Sequence, residues 1–173
     1  MPATIIIGAQ WGDEGKGRAV DWLAARATVV ARYGGGDNAG HTVYVGDKVY
    51  KLHLMPSGIL HQQATCVLGN GMVINPVNLL KELQELRDLG IDVSPARVKI
   101  STKAHIITPA HRALDVANEK ALGNKAIGTT LRGIGPAYLD KTGRRGVRVG
   151  EMLAIEDFAD SIKQAIESAN QIL

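Results

Sequence analysis

TIIIGAQWGDEGKGR, residues 4–18, is the stretch on which the fold turns. Ile5, Ile6 and Ile7 form a β-branched run of the kind that fills a strand buried in a parallel sheet. Gly8 ends that run, and Gly12, Gly15 and Gly17 then surround Asp13, Glu14 and Lys16. A helical pattern follows, with Ala19, Val20, Leu23, Ala24 and Ala27 on one face. Strand, glycine loop with a lysine, then helix is the architecture of a phosphate cradle. Backbone N–H groups and a helix N-terminus face the anion, and the lysine adds a full charge.

The loop departs from the usual phosphate loop, which needs glycine, four residues, then Gly-Lys-Ser/Thr. Six residues separate Gly8 from Gly15, and Gly17 stands where Ser or Thr would offer a hydroxyl to Mg2+. Asp13 is the expected replacement ligand, since Mg2+ favours hard oxygens and commonly takes one or two carboxylates.

Outward from this loop, strand and helix signals alternate. Residues 28–33 read as a second strand running into GGGDNAGHT at 34–42, where a ligand can approach the backbone closely. Asn38 and His41 in that loop would reach the same crevice as the first loop. Residues 43–52 alternate about Gly46 and Asp47, a hairpin. Residues 66–68 read as a short buried strand and Gly69, Asn70 and Gly71 as a turn. Asn75 and Pro76 open a helix with the stripe Leu79, Leu80, Leu83, Leu86 and Leu89, stopped by Gly90. Residues 98–101 are a further strand, Thr108 and Pro109 start a helix ending near Gly123, and residues 156–172 form the last helix, with Phe158, Ile162, Ile166 and Ala169 at helical spacing. The alternation predicts an α/β fold with a mostly parallel sheet, flanking helices and a small hairpin excursion.

Composition excludes several classes. The net charge is +3 and the basic residues are dispersed except for Arg144, Arg145 and Arg148, so no nucleic-acid-binding stripe is present. No apolar run reaches membrane-spanning length, and Cys66, the one cysteine, can form no intrachain disulfide. A reducing, cytoplasmic setting is expected.

A second rich stretch covers residues 123–148, too glycine-rich for a regular element. Thr129 and Thr130 can donate to phosphate oxygens there, and arginine forks grip phosphate with two bonds. Asp13, close to Lys16, is the candidate for proton removal, and His41 the candidate general acid. His53, His61, His105 and His111 read as structural or exposed. Two classes remain open on the residues alone: an enzyme using a nucleoside triphosphate's terminal phosphate, or a nucleotide-binding module without chemistry. An acid and a base at the loop favour the enzyme.

QWGDEGKG at 10–17 resembles the adenylosuccinate synthetase family, as do GGDNAGHT at 35–42, LHLMPSG at 52–58, and GTT at 128–130 with RGIGPAY at 132–138. The resemblance implies a P-loop-like nucleotide-binding fold and a GTP-dependent, Mg2+-requiring carbon–nitrogen ligase of purine biosynthesis joining IMP and L-aspartate. It implies catalytic roles for Asp13, Lys16 and His41, and a 6-phosphoryl-IMP intermediate. GTP contacts would come from Gly12, Asp13, Glu14, Gly15, Lys16, Gly17, Arg18, Gly40, His41 and Thr42. IMP contacts would come from Asp13, Glu14, Gly15, Lys16, Asn38, Ala39, Gly40, His41, Thr130 and Arg144, the last reaching the partner's site in a homodimer. Asp13 and the Gly40 carbonyl would hold Mg2+. Leu131 departs from the glycine or polar residue common in the family, and the guanine-reading Asn/Thr-Lys-x-Asp signature has no match. Residues 1–173 are therefore expected to be the N-terminal part of a single GTP/IMP-binding domain, inactive as a ligase alone.

Overall fold

The computed structural model describes residues 2–10, 15–45 and 48–173. Its centre is the long strand β4 (Thr65–Ile74). Strand β1 (Val29–Gly35) pairs parallel with it from Val29↔Thr65 to Gly35↔Met72. Strands β5 (Val98–Ile100) and β6 (His105–Ile106) also pair with β4 in parallel, at Cys66↔Val98 and Val73↔His105. Parallel strands carry helices on their faces and are buried on both sides, which is why Cys66, Leu68, Met72, Val73 and Ile74 are all inaccessible. Leu52, Leu54, Ile59, Leu79 and Leu86 complete the main core. Burial pushes the Cys66 thiol up to about 11, marking it as a small core hydrophobe. The expected parallel α/β architecture is present.

The hairpin excursion is a separate two-stranded sheet, β2 (His41–Val45) against β3 (Lys48–Leu52), with His41 opposite Leu52. Its expected turn, Gly46 and Asp47, lies outside the described residues. Among the helices, α1 (Lys16–Ala24) packs Ala24 and Val20 beside Val30 and Ala64. Helix α2 (Pro76–Asp88) starts at Asn75, whose side chain accepts from the N–H groups of Val77 (3.1 Å) and Asn78 (3.3 Å). Helix α3 (Pro109–Leu122) starts at Thr108, which exchanges capping bonds with His111, and α5 (Ile155–Asn170) is the last helix described. None of the helices among the described residues is long and apolar enough to cross a membrane.

Four expectations are corrected. Residues 5–7 form no strand, and Ile5 and Ile7 are 79% and 71% exposed. A β-branched run becomes a strand only where another edge takes its backbone groups, and no described strand pairs with it. Gly69, Asn70 and Gly71 are not a turn but the middle of β4. The ladder register shifts there between Arg32 and Gly34, and a Cβ on residue 71 would stand 2.0 Å from the Tyr33 carbonyl oxygen. The glycines answer that backbone approach rather than a reversal. Residues 123–148 contain a regular element after all, α4 (Ile134–Thr142), launched from Gly133 in a left-handed conformation. Finally, the α2 stripe is narrower than expected: Leu80 is 68% exposed, while Glu82 occupies an inward position and is buried.

Candidate functional site

Helix α1 opens from Gly15 in a left-handed turn, placing Lys16 at the first helical position with Lys16 and Arg18 exposed. Gly12, Asp13 and Glu14, expected to carry the base, metal and phosphate contacts, lie outside the described residues. Gly17 has a clear structural reason. The His41 ring lies against it, so that a Cβ on residue 17 would stand 2.6 Å from Nδ1 and 2.7 Å from Cε1. A Ser or Thr side chain there would have to push the His41 ring aside, so the hydroxyl expected in an ordinary phosphate loop competes with the histidine for the same space. The His41 Nε2 is buried and has no hydrogen-bond partner among the described residues. A buried polar atom left unpaired is costly, and such atoms concentrate where a ligand completes the site. The structure thus brings Lys16, Gly17 and His41 together.

The loop leading to His41 is gripped from β1, α2, α4 and the segment before α4, while its tip stays exposed. Arg32 in β1 donates through Nε to the Gly34 carbonyl (3.2 Å) and through Nη2 to the Gly36 carbonyl (2.8 Å). Its Nη1 donates to the carbonyls of His53 and Leu54. Burial lowers the pKa of this guanidinium from its ordinary value, and the charges of Glu82 and Asp37 and the Tyr138 phenol oppose that. From α4, the Tyr138 hydroxyl accepts from the Gly35 N–H (2.7 Å) and donates to the Gly71 carbonyl (2.9 Å), bridging the opened ladder. Asn78 of α2 donates to Asp37 Oδ2, and Arg132 donates to the Asp37 carbonyl. Asn38, Ala39 and Gly40 are exposed beyond these anchors.

Arg132 also ties this loop to residues 127–133, which α3 holds with two carboxylates. Asp115 accepts from Thr129 Oγ1 (3.1 Å) and the Gly133 N–H (2.8 Å), and Glu119 accepts from the N–H groups of Ile127 (3.1 Å) and Gly128 (2.9 Å). Thr130 is exposed. Leu131 sits at φ 54°, a left-handed conformation that a glycine would adopt without strain. Beside the joined loops a cavity of about 280 Å3 is lined by Asp37, His53, Asn78, Arg112 and Arg132 among others.

Arg144 stands apart from that group. It is exposed just beyond α4 at φ 58°, bordering a cavity of about 400 Å3 between α3 and α5. His111 Nε2 and Arg145 hold Asp140 in the same turn, at 3.1 and 3.4 Å. His105 is buried with Nδ1 3.2 Å from Lys141 Nζ, and burial, then Lys141 and Arg148, lower its pKa. Among the described residues no three His, Cys, Asp or Glu side chains gather as a metal cluster.

The residues that sequence reasoning passed over are the supporting ones. Arg32 and Glu82 did leave a signal, since a charge inside an apolar strand and one on a helix's inward face must each find partners. Tyr138 closes the RGIGPAY block, but that block does not reveal its role, which depends on how the ladder opens opposite it.

Comparison with known proteins gives a consistent result. The sequence model of the family described as "Adenylosuccinate synthetase" matches residues 5–173. An adenylosuccinate synthetase of Clostridium botulinum is 52% identical over the whole chain, and one of Moorella thermoacetica 51%. The chain spans 40% of the length of each. A fully ligated adenylosuccinate synthetase from Plasmodium falciparum superposes with a TM-score of 0.86 at 41% identity, covering 95% of this chain and 38% of that one. A succinoaminodeoxyadenylate synthetase of cyanophage S-2L, bound to dGMP and dATP as an energy donor, gives 0.64 at 29% identity over 83% of this chain and 39% of its own.

Proposed function

Because the chain belongs to the adenylosuccinate synthetase family, we propose that it is the phosphate- and IMP-handling part of a GTP-dependent ligase that joins IMP and L-aspartate. The observation that carries this reading is the His41 ring seated on Gly17 with its Nε2 unpaired. It puts a proton-carrying group directly on the helix turn that starts with Lys16.

In this reading Asp13 removes the N1 proton of IMP, and O6 attacks the γ-phosphate of GTP to give the 6-phosphoryl intermediate. The aspartate amine then displaces phosphate. Charge accumulates on phosphoryl oxygens, so positioned donors supply most of the rate. Lys16 and the N–H groups of residues 12–18 and 40–42 hold the phosphates, while His41 assists departure of GDP. Asn38, Ala39, Thr130 and Arg144 contact IMP, Arg144 from the second subunit of a homodimer, in the cytoplasm. Asp13 and the Gly40 carbonyl are the proposed Mg2+ ligands. Their hard-oxygen donor set suits that ion, and Gly40 lies at the exposed loop tip. When bound, the ion would neutralise charge on the phosphates. The cyanophage relative's dGMP and dATP mark nucleotide choice as variable within the fold; the 52% identity to an adenylosuccinate synthetase supports IMP here.

The test is adenylosuccinate formation from IMP, GTP and aspartate by a protein of the relatives' length that carries these residues. Asp13→Ala is expected to lower turnover about a hundred- to ten-thousandfold with the fold retained. Turnover near that of the parent in this variant would remove Asp13 as the base. Residues 1–173 alone are expected to form no product.

A further inference from the structure

We infer that His53 is a positioning residue of the phosphate-facing loop, orienting the peptide between Ala39 and Gly40 from a bracket built by Arg32 and Glu82. The inference rests on the proposed role of residues 40–42 in binding the substrate phosphates.

The bracket acts on opposite sides of one short segment. Glu82, buried on the inward face of α2, accepts from three successive N–H groups: His53 (2.8 Å), Leu54 (2.7 Å) and Met55 (3.1 Å). Arg32 takes the carbonyls of His53 and Leu54. The polar groups of this segment are thus held by charge-assisted bonds, which are shorter and about twice as strong as neutral ones. The same Arg32 holds the carbonyls of Gly34 and Gly36, so the segment at 53–55 and the loop at 34–41 share one anchor.

From the fixed backbone, the His53 ring reaches across to the loop. Its Nδ1 lies 2.8 Å from the Ala39 carbonyl oxygen. A carbonyl only accepts, so Nδ1 carries the hydrogen. That bond fixes the direction of the Ala39 carbonyl, and no peptide among the described residues is cis. In a trans peptide the N–H points opposite to the C=O, so the Gly40 N–H is turned away from His53. Gly40 is exposed, and its N–H is thereby presented as a donor at the loop tip. His53 contributes no proton transfer; it sets where a phosphate oxygen finds its donor. A one-ångström error in such an element is enough to cost about a hundredfold in rate.

Three measurements on a protein of the relatives' length that carries these residues test this. Ring 15N correlation spectra at alkaline pH should show His53 as the Nδ1–H tautomer. His53→Ala should shift the Gly40 amide resonance and weaken binding of Mg2+·GTP about tenfold, the effect of one lost hydrogen bond. His53→Asn, which keeps a donor near the Nδ1 position, should restore both to within about threefold. Far-UV circular dichroism of both variants checks folding. An Nε2–H tautomer, or equal Mg2+·GTP affinity in His53→Ala, overturns the inference. Failure of the unaltered chain to bind Mg2+·GTP at all counts against the proposed function. The tautomer and the Gly40 resonance then still decide the role of His53 by themselves.

Discussion

Gly17→Ala isolates the contact that joins the two loops. The new methyl would sit 2.6 Å from His41 Nδ1, and ordinary contact begins at 3.4 Å, so the ring must retreat by about 0.8 Å. Overpacking of this kind costs about 1–3 kcal/mol. Alanine in place of glycine inside α1 returns about 1 kcal/mol of helix propensity. The net destabilisation is then between about zero and 2 kcal/mol, a fall of up to about 8 °C in Tm for a chain of this size. In a protein of the relatives' length, turnover should suffer far more, since displacing a reacting group by about 1 Å costs about a hundredfold. The decisive assay is a double-mutant cycle by urea unfolding. In a His41→Ala background the clash is gone, and Gly17→Ala should become stabilising by about 1 kcal/mol. If Gly17→Ala destabilises both backgrounds equally, His41 does not dictate the glycine.

Two further predictions concern backbone strain and pH. Arg144 is exposed at φ 58°, where a non-glycine residue costs about 1–2 kcal/mol, and glycine's extra freedom in the unfolded chain takes back about 0.4–1 kcal/mol. The net gain is between about zero and 1.6 kcal/mol, so Arg144→Gly should raise Tm by up to about 6 °C while abolishing any IMP contact made by the guanidinium; a lower Tm would show that the turn is not strained. His105, buried and facing Lys141 and Arg148, has a folded pKa below its ordinary 6.5, so the unfolded chain binds more protons in that range. Stability should be full above pH 6.5 and fall as pH drops below it, towards and through the folded value. His105→Asn, which keeps an acceptor for Lys141, should flatten that slope, and an unaltered slope would place the titration elsewhere.

The parts of the fold that were legible in the sequence are those fixed by local chemistry. Asn75 with Pro76 and Thr108 with Pro109 mark helix starts because caps are local, and α2 and α3 begin there. The hairpin's alternation likewise survives in Val43, Tyr50 and Leu52, all buried. What was illegible depends on pairing at a distance. Residues 5–7 have a strand's composition, but composition does not supply a neighbouring edge. Gly69 and Gly71 look like turn residues, because nothing local reveals that β1 presses on them with the Tyr33 carbonyl. The candidate site divides in the same way. Lys16, Asn38 and His41 stand out through their glycine-rich surroundings, while Tyr138 and His53 act through partners 103 and 14 residues away.

The central claim is that the helix turn at Lys16 and the tip at residues 38–42 form one phosphate-binding surface. The most direct measurement is a titration of a 15N-labelled protein of the relatives' length that carries these residues, with IMP and Mg2+·GTP, following every backbone amide of residues 1–173. Shifts should concentrate at residues 12–18 and 38–42, with weaker ones at residues 129–133 through Arg132. Shifts confined to the cavity between α3 and α5, or none up to millimolar nucleotide, would contradict it.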